Sequence, residues 1–178
     1  MATNIRTKKT ELAIQKAMVK LLRKKSFDEI TTTELARTAK LSRQGFYIHY
    51  QDKYDMIQTY QEERFQHLEN ELSHQTSDTL AETLEKVFEF LKKDDLFAAL
   101  ILENGSREIH IFLRNKLKLL IDRRLTTLAE RKLTSIEEKY SAIYLSYAFF
   151  GIYQTWIATG KKETPREMAD YIMSEFIQ

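Results

Sequence analysis

Arg43 and Gln44 stand side by side behind Ser42, and they are the two residue types that pair with purine edges through two hydrogen bonds each. A guanidinium fits guanine O6 and N7, and a carboxamide fits adenine N6 and N7. Gly45 follows them and Phe46 and Tyr47 come next, so a backbone able to approach a groove closely is joined to aromatic surface. Thr32, Thr33, Tyr47, His49 and Lys53 supply hydroxyl, imidazole and ammonium donors of the kind that hold phosphate oxygens. Arg6, Lys8 and Lys9 form a basic arm that can add further phosphate contacts.

Other chemistries find less support. The chain has no cysteine, which excludes disulfide frameworks, thiolate zinc sites and cysteine nucleophiles. It has no G-x-S-x-G elbow, P-loop, H-E-x-x-H or dinucleotide fingerprint, so we expect neither an enzyme nor a cofactor. His67, Glu71 and His74 lie at i, i+4 and i+7 and can share a helix face, but a metal site wants tighter geometry and supporting partners. We read them as a surface coincidence, His110 as an isolated histidine, and metal ligands as none.

These side chains must be positioned by helices. One proline and four glycines in 178 residues leave few breakers. No segment alternates strictly between Gly-rich turns as a strand would. Residues 8–25 place Leu12, Ala13, Ala17, Leu21 and Leu22 near one helical stripe. Thr31 and Glu34 have the spacing of a capping box, with Ile30 and Leu35 as a hydrophobic staple. A short helix there carries Leu35, Ala36 and Ala39 as buried candidates. Ser42 starts a second short helix, 43–49, and Asp52 caps a third, 53–73, with Met56, Ile57, Tyr60, Phe65, Leu68 and Leu72 apolar. Beyond the polar stretch 74–79, helices are predicted over 80–93, 95–103, 107–132, 136–160 and 165–177. Gly160 suits the left-handed position after a helix, and Thr164-Pro165-Arg166-Glu167 combines an N-cap, proline at N1 and a capping glutamate. The expected fold is all-α, with about nine helices.

Charge divides the chain. Residues 1–53 carry a net +7 and residues 54–178 a net −5, within a total of +2. A basic head on an acidic body fits a polyanion-binding domain, 1–53, joined by the 53–73 helix to a larger domain, 54–178. The N-terminus lacks the apolar core of a signal peptide, and no apolar run reaches the roughly 18–20 residues of a membrane span. A soluble, cytoplasmic protein is expected.

The two short helices of the head are too short to stand alone. With the helix before them and net positive charge, they match a helix-turn-helix over 31–53. The stretch ITTTELARTAKLSRQGFYIHYQDKYDMI resembles the helix-turn-helix of the TetR (tetracycline-repressor-like) family. Matching positions include Thr31, Leu35, Ala36, Ala39, Leu41, Ser42, Phe46, Tyr47, His49, Tyr50 and Lys53. The usual turn glycine is replaced by Lys40, which must accept the turn geometry, a left-handed one at modest cost. The usual Gly-Thr pair is Gln44-Gly45. The resemblance implies that Arg43 and Gln44, opening the recognition helix, reach base edges. It places Thr32, Thr33, Tyr47, His49 and Lys53 toward phosphates, and divides Phe46 and Tyr50 between packing and the groove edge.

In proteins of this family the remaining helices dimerise and often bind a small ligand. Here the pair 136–160 and 165–177 would build the homodimer. IYLSYAFFGIYQTWIATG is apolar nearly all round and needs burial on more than one face. Two-fold symmetry would let two recognition helices read a palindromic operator in double-stranded DNA. The expected function is a repressor released by an effector. Phe88, Phe90, Phe97, Phe112, Tyr144, Tyr147, Phe149, Tyr153 and Trp156 offer aromatic surface, read as core before pocket. ATGKKETPREMADYI, after Trp156, resembles a branch related to the activator of dihydroxyacetone-kinase operons. That likeness implies the alternative, a regulator, even an activator, controlled by a protein partner.

Overall fold

The computed structural model describes residues 2–73, 79–128 and 133–176. Among these residues there are nine helices and no strand: α1 (Ala2–Leu22), α2 (Thr32–Thr38), α3 (Arg43–Tyr47), α4 (Lys53–Ser73), α5 (Leu80–Lys93), α6 (Asp95–Ile101), α7 (Arg107–Leu128), α8 (Ser135–Ala158) and α9 (Pro165–Phe176). The chain is all-α. The side chains of Arg6 and Glu71, and the whole of His74, lie outside the described residues.

The chain divides into two compact units, residues 1–77 with 90–106 and residues 78–89 with 107–178. The unit that holds the short helices is therefore larger than the head expected at 1–53. It also takes in α4 and α6, and α6 packs on α1. Helix α1 buries Ile14, Ala17, Met18, Leu21 and Leu22, an i, i+3, i+4, i+7, i+8 stripe. Leu12, counted with that stripe in the sequence, is 49% exposed because it falls on the neighbouring face. Phe27 and Ile30 close the core beneath the α1–α2 connection, and the Phe27 amide donates to the Asn104 carbonyl at 2.8 Å. Met56, Ile57, Tyr60, Phe65 and Leu68 of α4 are buried, as the periodicity predicts.

Asp94 organises the meeting of α4 and α6. Its carboxylate caps α6 by accepting from the Phe97 amide at 3.0 Å. It also accepts from the Tyr60 hydroxyl and from Arg64 Nε, the latter at 2.6 Å. Burial and the Asp94 charge both push the Tyr60 phenol above its ordinary pKa.

In the second unit α7 packs along α8. Phe149, Phe150, Tyr153, Trp156 and Ile157 of α8 are buried. Phe88 of α5 stacks against both Tyr153, at 4.5 Å between ring centres, and Trp156, at 5.0 Å. Gly160 ends this helix with φ +92°, and the Lys161 amide returns to the Trp156 carbonyl at 2.8 Å. The capping box at Thr164 forms as its spacing predicts: Glu167 accepts from the Thr164 amide at 2.7 Å, and the Glu167 amide donates to the Thr164 hydroxyl at 3.2 Å. Among the described residues no helix is long and apolar enough to cross a membrane.

Candidate DNA interface

Helix α2 starts at Thr31, whose hydroxyl accepts from the Glu34 amide at 3.2 Å. The other half of the predicted box does not form. Lys25 Nζ takes the Glu34 carboxylate at 2.5 Å, and that hydrogen bond holds the carboxyl below its ordinary pKa. Ile30 and Leu35, the predicted staple pair, are both fully buried. At the other end Lys40 adopts φ +59°, its amide donates to the Arg37 carbonyl at 3.0 Å, and the Leu41 amide donates to the Ala36 carbonyl at 2.9 Å. This is the double return that closes a helix through a left-handed residue. A lysine there costs roughly 1–2 kcal/mol of backbone strain that glycine would avoid. Two residues later Ser42 caps α3, its hydroxyl accepting from the Gly45 amide at 2.9 Å. A Cβ on Gly45 would lie 3.1 Å from that same hydroxyl, so glycine fits the cap.

Helix α3 has two distinct faces. Phe46 is fully buried and Tyr50 is 7% exposed, with their ring centres 5.8 Å apart. Both therefore belong to the core, and the groove-edge share expected for them is not available. Arg43 and Gln44 are exposed, and Tyr47 is 44% exposed. Arg43 leans on Tyr47, its guanidinium carbon 5.6 Å from the ring centre and its Nε and Nη2 each donating to the phenol oxygen at 3.4 Å. This i, i+4 contact orders a long side chain that would otherwise move freely, and sequence spacing alone already allowed it. Thr33 is exposed and Thr32 half-buried at the start of α2.

Two residues expected at phosphates have partners within the fold. Lys53 is only 6% exposed. Its ammonium donates to the carbonyls of Phe27 at 2.7 Å and Asp28 at 2.9 Å, and sits 4.7 and 5.1 Å from the ring centres of Phe27 and Tyr54. It fastens α4 to the α1–α2 connection rather than facing outward. His49 is half-buried, with Nδ1 3.8 Å from a carboxylate oxygen of Glu11 on α1. Asp52 caps α4 as expected, Oδ1 accepting from the amides of Tyr54 and Asp55 at 2.8 and 2.9 Å. His110 lies edge-on to Phe150, 5.3 Å between ring centres. Among the described residues no three His, Cys, Asp or Glu side chains are grouped to hold a metal ion.

Two short helices at a tight turn, a buried aromatic seam behind them and an Arg-Gln pair in front define a helix-turn-helix DNA-binding regulator. The sequence profile of bacterial regulatory proteins, tetR family, matches residues 14–60, and that of a transcriptional regulator C-terminal region matches residues 78–177. The chain belongs to the TetR family of transcriptional regulators. No curated protein sequence matches it. Among solved structures it is similar to a TetR transcriptional regulator from Streptococcus agalactiae, with 22% identity, TM-score 0.75, and coverage of 100% of this chain and 99% of that one. The fatty acid regulator FadR from Bacillus subtilis, in complex with stearoyl-CoA, is 17% identical with TM-score 0.65, covering 94% and 97%. The dihydroxyacetone kinase operon activator DhaS is 17% identical with TM-score 0.60, covering 93% and 92%. At these identities the likeness is one of fold.

Proposed function

We propose that the chain is a homodimeric repressor that binds a palindromic operator through α3 and leaves it when an effector binds. The observation that carries the DNA reading is the exposed Arg43–Gln44 pair at the start of α3, with Arg43 held by Tyr47. Arg43 and Gln44 read base edges, Gly45 admits the backbone to the groove, and Thr32, Thr33, Ser42 and Tyr47 meet phosphates.

Dimerisation is supported by α8. Ile136, Tyr140, Ile143, Tyr144 and Tyr147 recur at i, i+4, i+7, i+8 and i+11, and all are more than a third exposed. This exposed apolar stripe, with the exposed Tyr171 of α9, suits a second copy. One α3 reads too few base pairs for selectivity, whereas two placed a helical turn or more apart read two half-sites.

A small effector is supported by Tyr153. Its hydroxyl is buried and has no hydrogen-bond partner among the described residues, and burial pushes its pKa up. An unsatisfied hydroxyl costs about 1–3 kcal/mol, which a ligand with one polar group would offset. The FadR likeness, solved with stearoyl-CoA, agrees with a ligand-responsive body. Selection from random duplex DNA tests the whole reading: an enriched palindrome supports it, and enrichment of nothing, or of a single unrepeated site, removes it. A thermal-shift screen tests the effector, because a ligand of the native state raises the melting temperature.

A further inference from the structure

The turn between α2 and α3 holds Lys40 at φ +59°, where glycine is relaxed and lysine is strained. The fold offers no compensation at the side chain. Lys40 is exposed and makes no ion pair or side-chain hydrogen bond with another described residue. It borders a hollow of about 390 Å³ whose wall also carries Lys20, Lys24, Lys25 and Arg37, with Glu34 as the one carboxylate among its lining residues. Lys25 and Arg37 act on Glu34. Lys20, Lys24 and Lys40 have no carboxylate partner among the described residues. Unpaired like charges gathered on one surface repel each other, and a polyanion laid along them relieves that repulsion.

Position identifies the polyanion. Lys40 precedes Arg43 by three residues, so their Cα atoms lie at most about 11 Å apart. The major groove is about 12 Å wide. A cation within that span of a side chain on the base edges is close enough to reach the phosphates that wall the groove. We infer that Lys40 is a phosphate contact in the DNA complex, with Lys24 and Arg37 adding to the same positive wall. This inference rests on the DNA-binding reading of α3, and its test separates the two.

The probe is the duplex that the wild-type chain enriches from random sequence, titrated by fluorescence anisotropy at about 50 and 200 mM salt. The variants are Lys40→Gly, which removes both strain and charge, Lys40→Gln, which removes charge alone, and Lys40→Arg, which keeps the charge. Each phosphate contact contributes about 0.9 to the slope of log affinity against log salt. Lys40→Gly and Lys40→Gln should therefore lower that slope by about 0.9, so that the affinity lost across this salt range shrinks about threefold. Base preference should be unchanged in all three, and Lys40→Arg should keep the wild-type slope. Lys40→Gly should also melt at a higher temperature than wild type, which separates its lost affinity from any loss of fold. Wild-type slopes in both the Gly and Gln variants, or an altered base preference in place of an altered slope, would overturn the inference. A wild-type chain that enriches no duplex overturns the DNA reading of α3 and takes this inference with it.

Discussion

The ammonium of Lys53 is held by the main-chain carbonyl of Phe27, 2.7 Å away and 26 residues earlier in the chain. Together with the Asp28 carbonyl and the rings of Phe27 and Tyr54, this contact fixes the start of α4 to the connection that leads into α2. Its role is to position the reading head. Lys53→Met should lower stability by about 2–3 kcal/mol in urea unfolding, because two buried carbonyls lose a charged donor. The salt slope of DNA binding should stay at the wild-type value. A fall in slope of about 0.9, with stability unchanged, would show that Lys53 contacts phosphate instead.

Asp94 is the corresponding fastener further along α4, where it holds Tyr60 and Arg64. Asp94→Ala removes a helix cap, the partner of Tyr60 and the partner of Arg64 together. The expected loss is about 2–3 kcal/mol, below that of breaking a fully buried pair because Arg64 is partly in solvent. Chemical denaturation of the variant, with far-ultraviolet dichroism showing the helices intact, provides the check. A loss under about 0.5 kcal/mol would mean that the cluster contributes little.

The dimer reading makes its own prediction. Tyr144 is 65% exposed in the middle of the α8 stripe, so Tyr144→Glu should leave the fold intact while placing a charge in the interface. Sedimentation at micromolar concentration should report a monomer, and binding to a two-half-site duplex should fall to that of one half-site. A Tyr144→Glu dimer as tight as wild type would move the interface away from this stripe.

Tyr50 gives a pH signature. Burial, with added repulsion from Glu11, Glu63 and Asp55, pushes its pKa from 10 up to about 12. A phenol whose folded pKa lies above its unfolded one stabilises the native state fully below about pH 10. That contribution is lost as pH rises from 10 toward 12. Tyr50→Phe should therefore flatten part of the alkaline fall in stability across that window while leaving the profile near neutrality alone. Parallel profiles for the two proteins above pH 10 would contradict the burial of this hydroxyl.

Much of the fold was readable in the sequence because helix ends are written locally. Ser42, Asp52, Thr164 and Gly160 perform the capping roles that their types and spacing predict, and α4 and α5 keep their predicted bounds. Two further Thr-x-x-Glu boxes, at Thr79 and Thr134, follow the same rule. Partners that are distant in the chain were harder to read. The carboxylate of Glu34 is taken by Lys25, nine residues away, and Lys53 finds carbonyls 26 residues off. A lysine at the start of a helix looks exposed until a neighbouring loop covers it. In the same way, nothing local to α6 announces that it packs on α1 and joins the unit containing the helix-turn-helix. At the candidate site, residue type marked Arg43 and Gln44, but only the folded chain separates the outward Tyr47 from the inward Phe46 and Tyr50.

The most direct test is a titration of the wild-type chain and of Arg43→Ala against the enriched duplex and a scrambled duplex of equal length, all at one salt concentration. The wild-type chain should prefer the enriched duplex by about a thousandfold or more. Arg43→Ala should lose roughly 1–3 kcal/mol of affinity for the enriched duplex and little for the scrambled one. Equal affinity of the wild-type chain for both duplexes, or an Arg43→Ala variant that reads the enriched sequence as well as wild type, would contradict the assignment of α3 as the element that reads DNA.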